Sequence, residues 1–427
     1  GVEALAAGVR EHLPVASGAA GGEPRGSVFK VERGPAGEKI AYVRMRAGTL
    51  RPRTRPRLHR AGGDSFEGKV TAVRVFDRGA ATRIAEAGAG AIAKVWGLTD
   101  VRIGDAVGSP DELHAGGLFA QPTLDTIIRP RNPRERPALH DALRVLSERD
   151  PLVDPRFDES GQDITVNLYG EVQKEVIAAT LAEQFGVEVD FDETRTIYVE
   201  RPVGVGEAVE AMGEEPSTHF YATIGLRVQP GPVGSGVAYG IEVERGSIPA
   251  RFHKAIEETV RETLKQGLHG WGVIDCVITL IRSGSAAAVS AGKPPLSTTK
   301  EFRLLTPLVL MRALRQAGTQ VLEPINRFEL ETPNAVSAEV LQELAKAGAT
   351  VTGHAVHGAT CRLTGTMRAQ DVHGFERLLP ALTQGESMFV SHLDGHRPIS
   401  GDPPTRKRTD GDPLHLDSYL THLHNQQ

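Results

Sequence analysis

The stretch Gly62–Phe76, GGDSFEGKVTAVRVF, sets Gly63 four residues before Gly68 and Lys69. That is the spacing of a phosphate-binding loop, in which backbone N–H groups wrap the phosphates and the lysine reaches the outer ones. The same chemistry needs a Ser or Thr directly after the lysine to hold magnesium, and a helix starting there with its positive end toward the phosphates. Val70 occupies the hydroxyl position, and Val70–Phe76 is a β-branched run that reads as a strand. The preceding RPRTRPRLHRAGG is no apolar strand. The stretch predicts a hairpin turn, with no nucleotide held in it.

A second possible chemistry is phosphate contact through arginine. Arg51–Arg60 carries five arginines and no acid, with Arg51, Arg53, Arg55 and Arg57 at every second position. Arg129, Arg131, Arg134 and Arg136 form another cluster, and Arg406, Lys407 and Arg408 a third. Each is a candidate phosphate contact, with a solvated charged loop as the alternative. His354, His357 and Cys361 offer metal-ligand types at H-x2-H-x3-C, without a fourth ligand and in what reads as a strand pair, so no metal is expected. Cys276 sits in an apolar strand and is expected to be a buried small hydrophobe. Glu171 and Glu175 lie one helical turn apart on an exposed face, with Val176, Ile177, Thr180 and Leu181 turned inward. No general acid/base pair and no nucleophile–base constellation stands out, so no catalytic residue is assigned.

These groups are carried by a chain of 427 residues, long enough for two to four domains. Its 40% apolar and 24% charged content is that of a soluble globular protein. The net charge of −5 excludes a generally basic nucleic-acid coat and leaves binding to local clusters. Two cysteines exclude a disulfide scaffold and fit a reducing cytosol. No apolar run reaches the ~18 residues of a membrane span. The N-terminus reads as an amphipathic helix with Val2, Leu5, Val9 and Leu13 on one side; without an initiator methionine, it is expected to be a fragment beginning inside a helix.

The pattern of elements predicts a multidomain β-barrel plus α+β chain. Short β-rich runs between Gly and Pro turns predict a small barrel over 24–116. Strand–helix–strand–helix–strand over 120–203 predicts an α+β sandwich of split-βαβ (ferredoxin-like) type, its second helix ended by Gly186 and its last strand at RTIYVER. An elongated α+β domain follows over 217–321, with a final helix at TPLVLMRALRQAG. A second ferredoxin-like sandwich spans 322–400, and 401–427 is a basic linker with a short helix.

FKVERGPAGEKIAYVRMRAGTL, LYGEVQKEVIAATLAEQFGVEVDF, GSIPARFHKAIEETVRETLKQGLHGWGVIDCVITL and LLTPLVLMRALRQAGTQVLEPINRFELETP together resemble the part of a translational GTPase of the elongation factor G superfamily that follows its GTPase domain. Within it, LYGEVQKEVIAATL, LHGWGVIDCVITL and STTKEFRLLTPLVL resemble the tetracycline-resistance ribosomal protection proteins most. In that frame 1–17 is the last helix of a GTPase domain that these residues lack. The chain has no N-K-x-D, and D-x-x-G at Asp158–Gly161 and Asp371–Gly374 is no more than so short a pattern yields by chance.

The resemblance implies a ribosome-binding portion that helps dislodge tetracycline, with the small-subunit rRNA at the decoding region as partner. It implies a cytoplasmic monomer, no cofactor in this chain, GTP and Mg2+ in the intact parent, and no GTP hydrolysis by these residues alone. It makes the 282–300 loop of the fourth domain the probe, with Arg282, Lys293, Pro294, Pro295, Ser297, Thr298 and Lys300 as candidate rRNA contacts; the diproline stiffens it. Gly292 and Lys293 stand where the family carries aromatic side chains, so no ring is offered for base stacking. The alternatives are an elongation factor G-like translocase fragment and a non-catalytic RNA- or ribosome-binding module.

Overall fold

A computed structural model describes residues 1–12, 21–60, 65–77, 80–83, 86–108, 122–157, 163–212, 220–244, 246–286 and 297–425. The chain forms two compact units, 1–121 with 134–155, and 122–133 with 156–427.

In the first unit, helix α1 (Val2–His12) buries none of its residues, and its expected inner positions Val2 and Leu5 are exposed. An eight-stranded antiparallel sheet follows. Its spatial order is Ser65–Glu67, Arg57–His59, Ala106–Val107, Arg25–Arg33, Lys39–Ala47, Ile92–Trp96, Ala72–Asp77, Ala80–Arg83. Val28, Val43, Met45, Leu58, Val73, Val95 and Val101 meet in its core, as alternating β-branched residues do when one sheet face is buried. Helix α2 (Arg136–Arg149) buries Leu139, Ala142 and Leu143. It is tied to the strands by Glu148, which takes Arg33 at 2.5 Å and Lys39 at 3.5 Å.

In the second unit the first sheet orders Arg156–Phe157, Ile164–Leu168, Leu124–Pro130 and Val189–Phe191, with Arg195–Thr196 also on Leu124–Asp125. Helix α3 (Glu171–Phe185) ends at Gly186, whose φ of 68° is the left-handed cap geometry expected of glycine. It buries Ile177 and Leu181, but Val172 and Val176 face solvent, which corrects the inward placement of Val176. Apolar residues occur all round this helix, so spacing alone does not select a face.

The strand expected to close that sandwich is split: Arg195–Thr196 pairs within it, and the rest leaves it. Val199–Pro202 runs antiparallel to Thr319–Leu322 and parallel to Gly272–Val273, in a different sheet. Between them lies a four-stranded sheet, Gly206–Glu210, Ala222–Pro230, Cys276–Ser285, Val237–Ile241, whose last pair is parallel and joined through helix α4 (Ala250–Thr263). Helix α5 (Thr299–Ala317) packs on it, with Phe302 stacked on Phe252 at 4.5 Å. This helix begins earlier than TPLVLMRALRQAG predicts. Pro307 reads as a first-turn proline, yet it lies inside a helix capped by Thr298, whose side chain accepts from the Glu301 amide at 3.3 Å.

The strand Thr319–Pro333 then continues between Thr360–Arg368 and Met388–Pro398, with Thr350–His357 outermost. Helices α6 (Ser337–Lys346) and α7 (Ala369–Thr383) close a core of Phe328, Leu330, Leu344, Leu363 and Phe375. Helix α8 (Leu416–Asn425) returns to the α4–α5 core, where Tyr419 is buried and donates to Leu304 O at 3.1 Å.

Three segments of one sheet, Val199–Pro202, the turn leading into Gly272–Val273 and the start of Thr319–Pro333, meet at Glu200. Its carboxylate is fully buried and accepts from the amides of Leu268 (2.8 Å), His269 (2.8 Å) and Trp271 (3.0 Å) and from Thr319 Oγ1 (2.7 Å). Gly267 lies against it: a Cβ there would sit 2.6 Å from the Glu200 carboxyl carbon. Glu200→Ala would leave those donors buried without an acceptor, at about 3–5 kcal/mol. In urea unfolding of the whole chain, Glu200→Ala and Gly267→Ala are expected to lower the midpoint well beyond Glu200→Gln, which keeps one acceptor oxygen. Equal midpoints for Glu200→Ala and wild type would remove the knot from the fold's stability.

Candidate nucleic-acid interface

The arginine run 51–57 is a loop clipped to the phosphate-loop look-alike. Arg53 N donates to Val70 O (2.8 Å), Val70 N to Thr54 O (3.0 Å) and Gly68 N to Pro56 O (3.2 Å). The Gly68 and Val70 amides are thereby spent inside the protein, Val70 is fully buried, and Ala72–Asp77 is a strand and no helix. Gly63 lies outside the described residues. The residues described at this stretch thus hold no phosphate cradle, and their amides fix the arginine loop instead.

That loop turns its cations outward. Arg51, Arg53, Arg55 and Arg57 are exposed, and Arg53 takes a φ of 69°, a left-handed value uncommon for a non-glycine residue. Arg51 pairs with Glu86 at 2.7 Å. Arg60 is used inward: it donates to Asp100 O (2.8 Å), pairs with buried Asp105 (3.4 Å) and lies over the Phe66 ring.

In the other two clusters cations meet partners within the protein, Arg129 and Arg131 while still exposed, Arg406 and Arg408 turned inward. Arg129 sits between Asp163 (2.8 Å) and Asp192 (2.6 Å), and Arg131 between Asp190 (3.0 Å) and Glu188 (3.3 Å). The acids come from neighbouring strands and loops, far in sequence, so the linear run overstated the charge. Arg406 lies over Trp271, 4.7 Å from its centroid, and donates to Gly270 O at 2.9 Å. Arg408 donates to Gln266 O (2.7 Å) and to Gly267 O, and pairs with Asp410 at 2.5 Å. Its side chain is 10% exposed, so as a surface phosphate contact Arg408 is withdrawn. Lys407 between them is exposed. The expected basic linker is a strap stitched to the turn after α4, where Trp271 Nε1 also donates to Pro404 O at 2.6 Å.

Of the probe loop, Lys293, Pro294 and Pro295 lie outside the described residues. Its two ends are described. Arg282 is exposed on the strand Cys276–Ser285, and Lys300 is exposed in the first turn of α5. Ser297 is buried; its hydroxyl accepts from Ala286 N at 2.7 Å and donates to Tyr221 O. Thr298 is the α5 cap. Buried Ser297 is thereby spent on the base of the loop and leaves the surface contacts, while Thr298 caps α5 and stays exposed.

His354 and His357 are exposed on an edge strand while Cys361 is buried beneath its neighbour, so the three do not converge. No cluster of potential metal ligands occurs among the described residues. Asp371 is salt-bridged to Arg368 at 2.6 Å in the first turn of α7, a structural use of that D-x-x-G; Asp158–Gly161 lies outside the described residues.

Sequence reading missed Asp125, an acid in the apolar run LDTII. It is 1% exposed and faces three guanidinium groups, Arg156 (3.1 Å), Arg195 (3.3 Å) and Arg406 (3.9 Å). A charged residue inside an apolar strand was the available signal.

With this architecture established, three family models match in succession: Elongation Factor G, domain III at 119–193; Elongation factor G, domain IV at 195–318; and Elongation factor G C-terminus at 320–407. Residues 119–407 thus match three successive domains of elongation factor G type. Its relatives include the oxytetracycline resistance protein of Streptomyces rimosus, 44% identical over 99% of this chain and 64% of that protein. The tetracycline resistance protein TetM of Streptomyces lividans is 44% identical over 88% of the chain and 57% of its own length. TetP of Clostridium perfringens is 33% identical over 99% and 63%. The chain therefore spans less than two thirds of the length of these relatives.

Burial first, and then the neighbouring Asp275 charge, push the Cys276 thiol up to about 12. It stays protonated at pH 8 and is fully buried, so a disulfide reagent should leave it untouched in the folded chain and modify it on unfolding. Stoichiometric labelling of Cys276 at pH 8 without denaturant would contradict this burial.

Proposed function

We propose that this chain is the ribosome-engaging portion of a translation factor of the ribosomal protection type, which dislodges tetracycline. The observation that carries the reading is 44% identity along 99% of the chain to an oxytetracycline resistance protein, through domains of elongation factor G type. In this reading 24–116 is the barrel, 120–203 and 322–400 are the ferredoxin-like sandwiches, and 217–321 carries the probe at 282–300 toward the small-subunit decoding region. The factor works as a cytoplasmic monomer. GTP and Mg2+ act in the intact protein, outside these residues; nucleotide binding selects the ribosome-bound shape and hydrolysis releases it.

The rRNA contacts of this reading are Arg51, Arg53, Arg55, Arg57, Arg282, Lys293, Pro294, Pro295, Thr298, Lys300 and Lys407. Exposed guanidinium groups on a loop pinned by backbone hydrogen bonds meet phosphates at little ordering cost. The described residues contain no helix long and apolar enough to cross a membrane.

Replacing Arg53, Arg55 and Arg57 with Ala should weaken ribosome binding and lower the slope of log affinity against log salt by about two to three. An unchanged slope would return these arginines to solvent. Cells expressing the full-length gene should tolerate tetracycline, and lose that tolerance when 282–300 is replaced by a short glycine loop. Full susceptibility with the natural loop in place would favour the translocase reading.

A further inference from the structure

Within the second unit, the strap after Pro398, the sheet that carries Asp125 and the turn holding Trp271 enclose a cavity of about 600 Å³. That is the size range of small-ligand sites. Asp163 on its wall and Asp125 beneath it are already matched. Asp125 faces three arginines, and Asp163 receives Arg129 at 2.8 Å and 3.0 Å. The wall is rich in donors. Arg195 is half-exposed, and Lys407 is exposed. Gln370 has its amide oxygen turned to Thr196 Oγ1 at 3.5 Å, which leaves its amide nitrogen as the donor. Thr165 and Thr405 add hydroxyls. Tyr198 stands edge-on to Trp271 at 5.1 Å and gives the same cavity an aromatic side.

We propose that this cavity binds the phosphate group of a nucleotide-sized ligand, with Arg195 and Lys407 as the principal contacts and Tyr198 against the ligand body. A phosphate suits this wall because its oxygens accept from a guanidinium fork, an ammonium and hydroxyls at once. A carboxylate partner for Arg195 is already present in Asp125, buried behind it, so the guanidinium is held in place for a second anion on its outer side. The phosphate comes from a free nucleotide or from one nucleotide of an RNA strand. The proposal does not depend on the ribosomal reading above.

The test is calorimetric titration of the whole chain at constant ionic strength with pyrophosphate, with adenosine monophosphate, and separately with a single-stranded RNA hexanucleotide. Saturable binding is expected, weakened about tenfold or more in the double variant Arg195→Gln, Lys407→Gln. Lys407→Gln alone leaves the arginines around Asp125 intact; it should weaken binding at an unchanged unfolding midpoint. Binding of the small phosphates identifies a free nucleotide as the source, and binding of RNA alone identifies a strand phosphate. Absence of saturable binding by all three probes, or binding that the double variant leaves unchanged, overturns the proposal.

Discussion

A carboxylate without access to water is among the most expensive groups a fold can carry, and Glu200 carries one where the strands Val199–Pro202 and Thr319–Pro333 meet the turn that follows α4. It is tolerated because three backbone amides and one hydroxyl converge on it. The turn 267–271 must therefore hold its amides inward, which needs Gly267 without a side chain and Gly270 at a φ of 81°. The same turn presents Trp271 to the strap, and the strap returns α8 to the α4–α5 core. Much of the second unit is thus fixed by where one acid finds its donors.

The same accounting governs the cations. Arginine is abundant along this chain, but position in sequence says little about what each side chain meets. Those on the 51–57 loop stand exposed on a pinned backbone, with Arg51 beside Glu86. Those at 129, 131, 406 and 408 are met by carboxylates, carbonyls or a ring drawn from distant segments. A chain of net charge −5 presents positive surface only where acids have been kept away.

Local patterning was legible. The strand runs of the first unit, the cap at Gly186 and the burial of Cys276 follow from residue type and spacing. Elements whose partners are remote in sequence were not. Val199–Pro202 has the composition of a sandwich strand, and nothing local reveals that it pairs with Thr319–Leu322. Helix α5 is buried on most sides, which erases the periodicity that would have marked its start, and Pro307 hides its continuity. Of the interface, the exposed loop was readable from its arginines; Ser297, read as a contact, is buried with its hydroxyl spent on Ala286 and Tyr221, because the use of a hydroxyl is decided by tertiary neighbours.

The strand Thr319–Pro333 runs fifteen residues, about 50 Å at the usual rise, and is laddered first to Val199–Pro202 and then to Met388–Pro398 and Thr360–Arg368. It is interrupted by one irregularity, at Ile325–Asn326 on the Met388–Pro398 side. Such a member acts as a spar. A push delivered at one end is carried to the other through rows of hydrogen bonds loaded side by side, in shear, which is the direction in which a sheet yields least. At the bulge the strand bends and its right-handed twist increases.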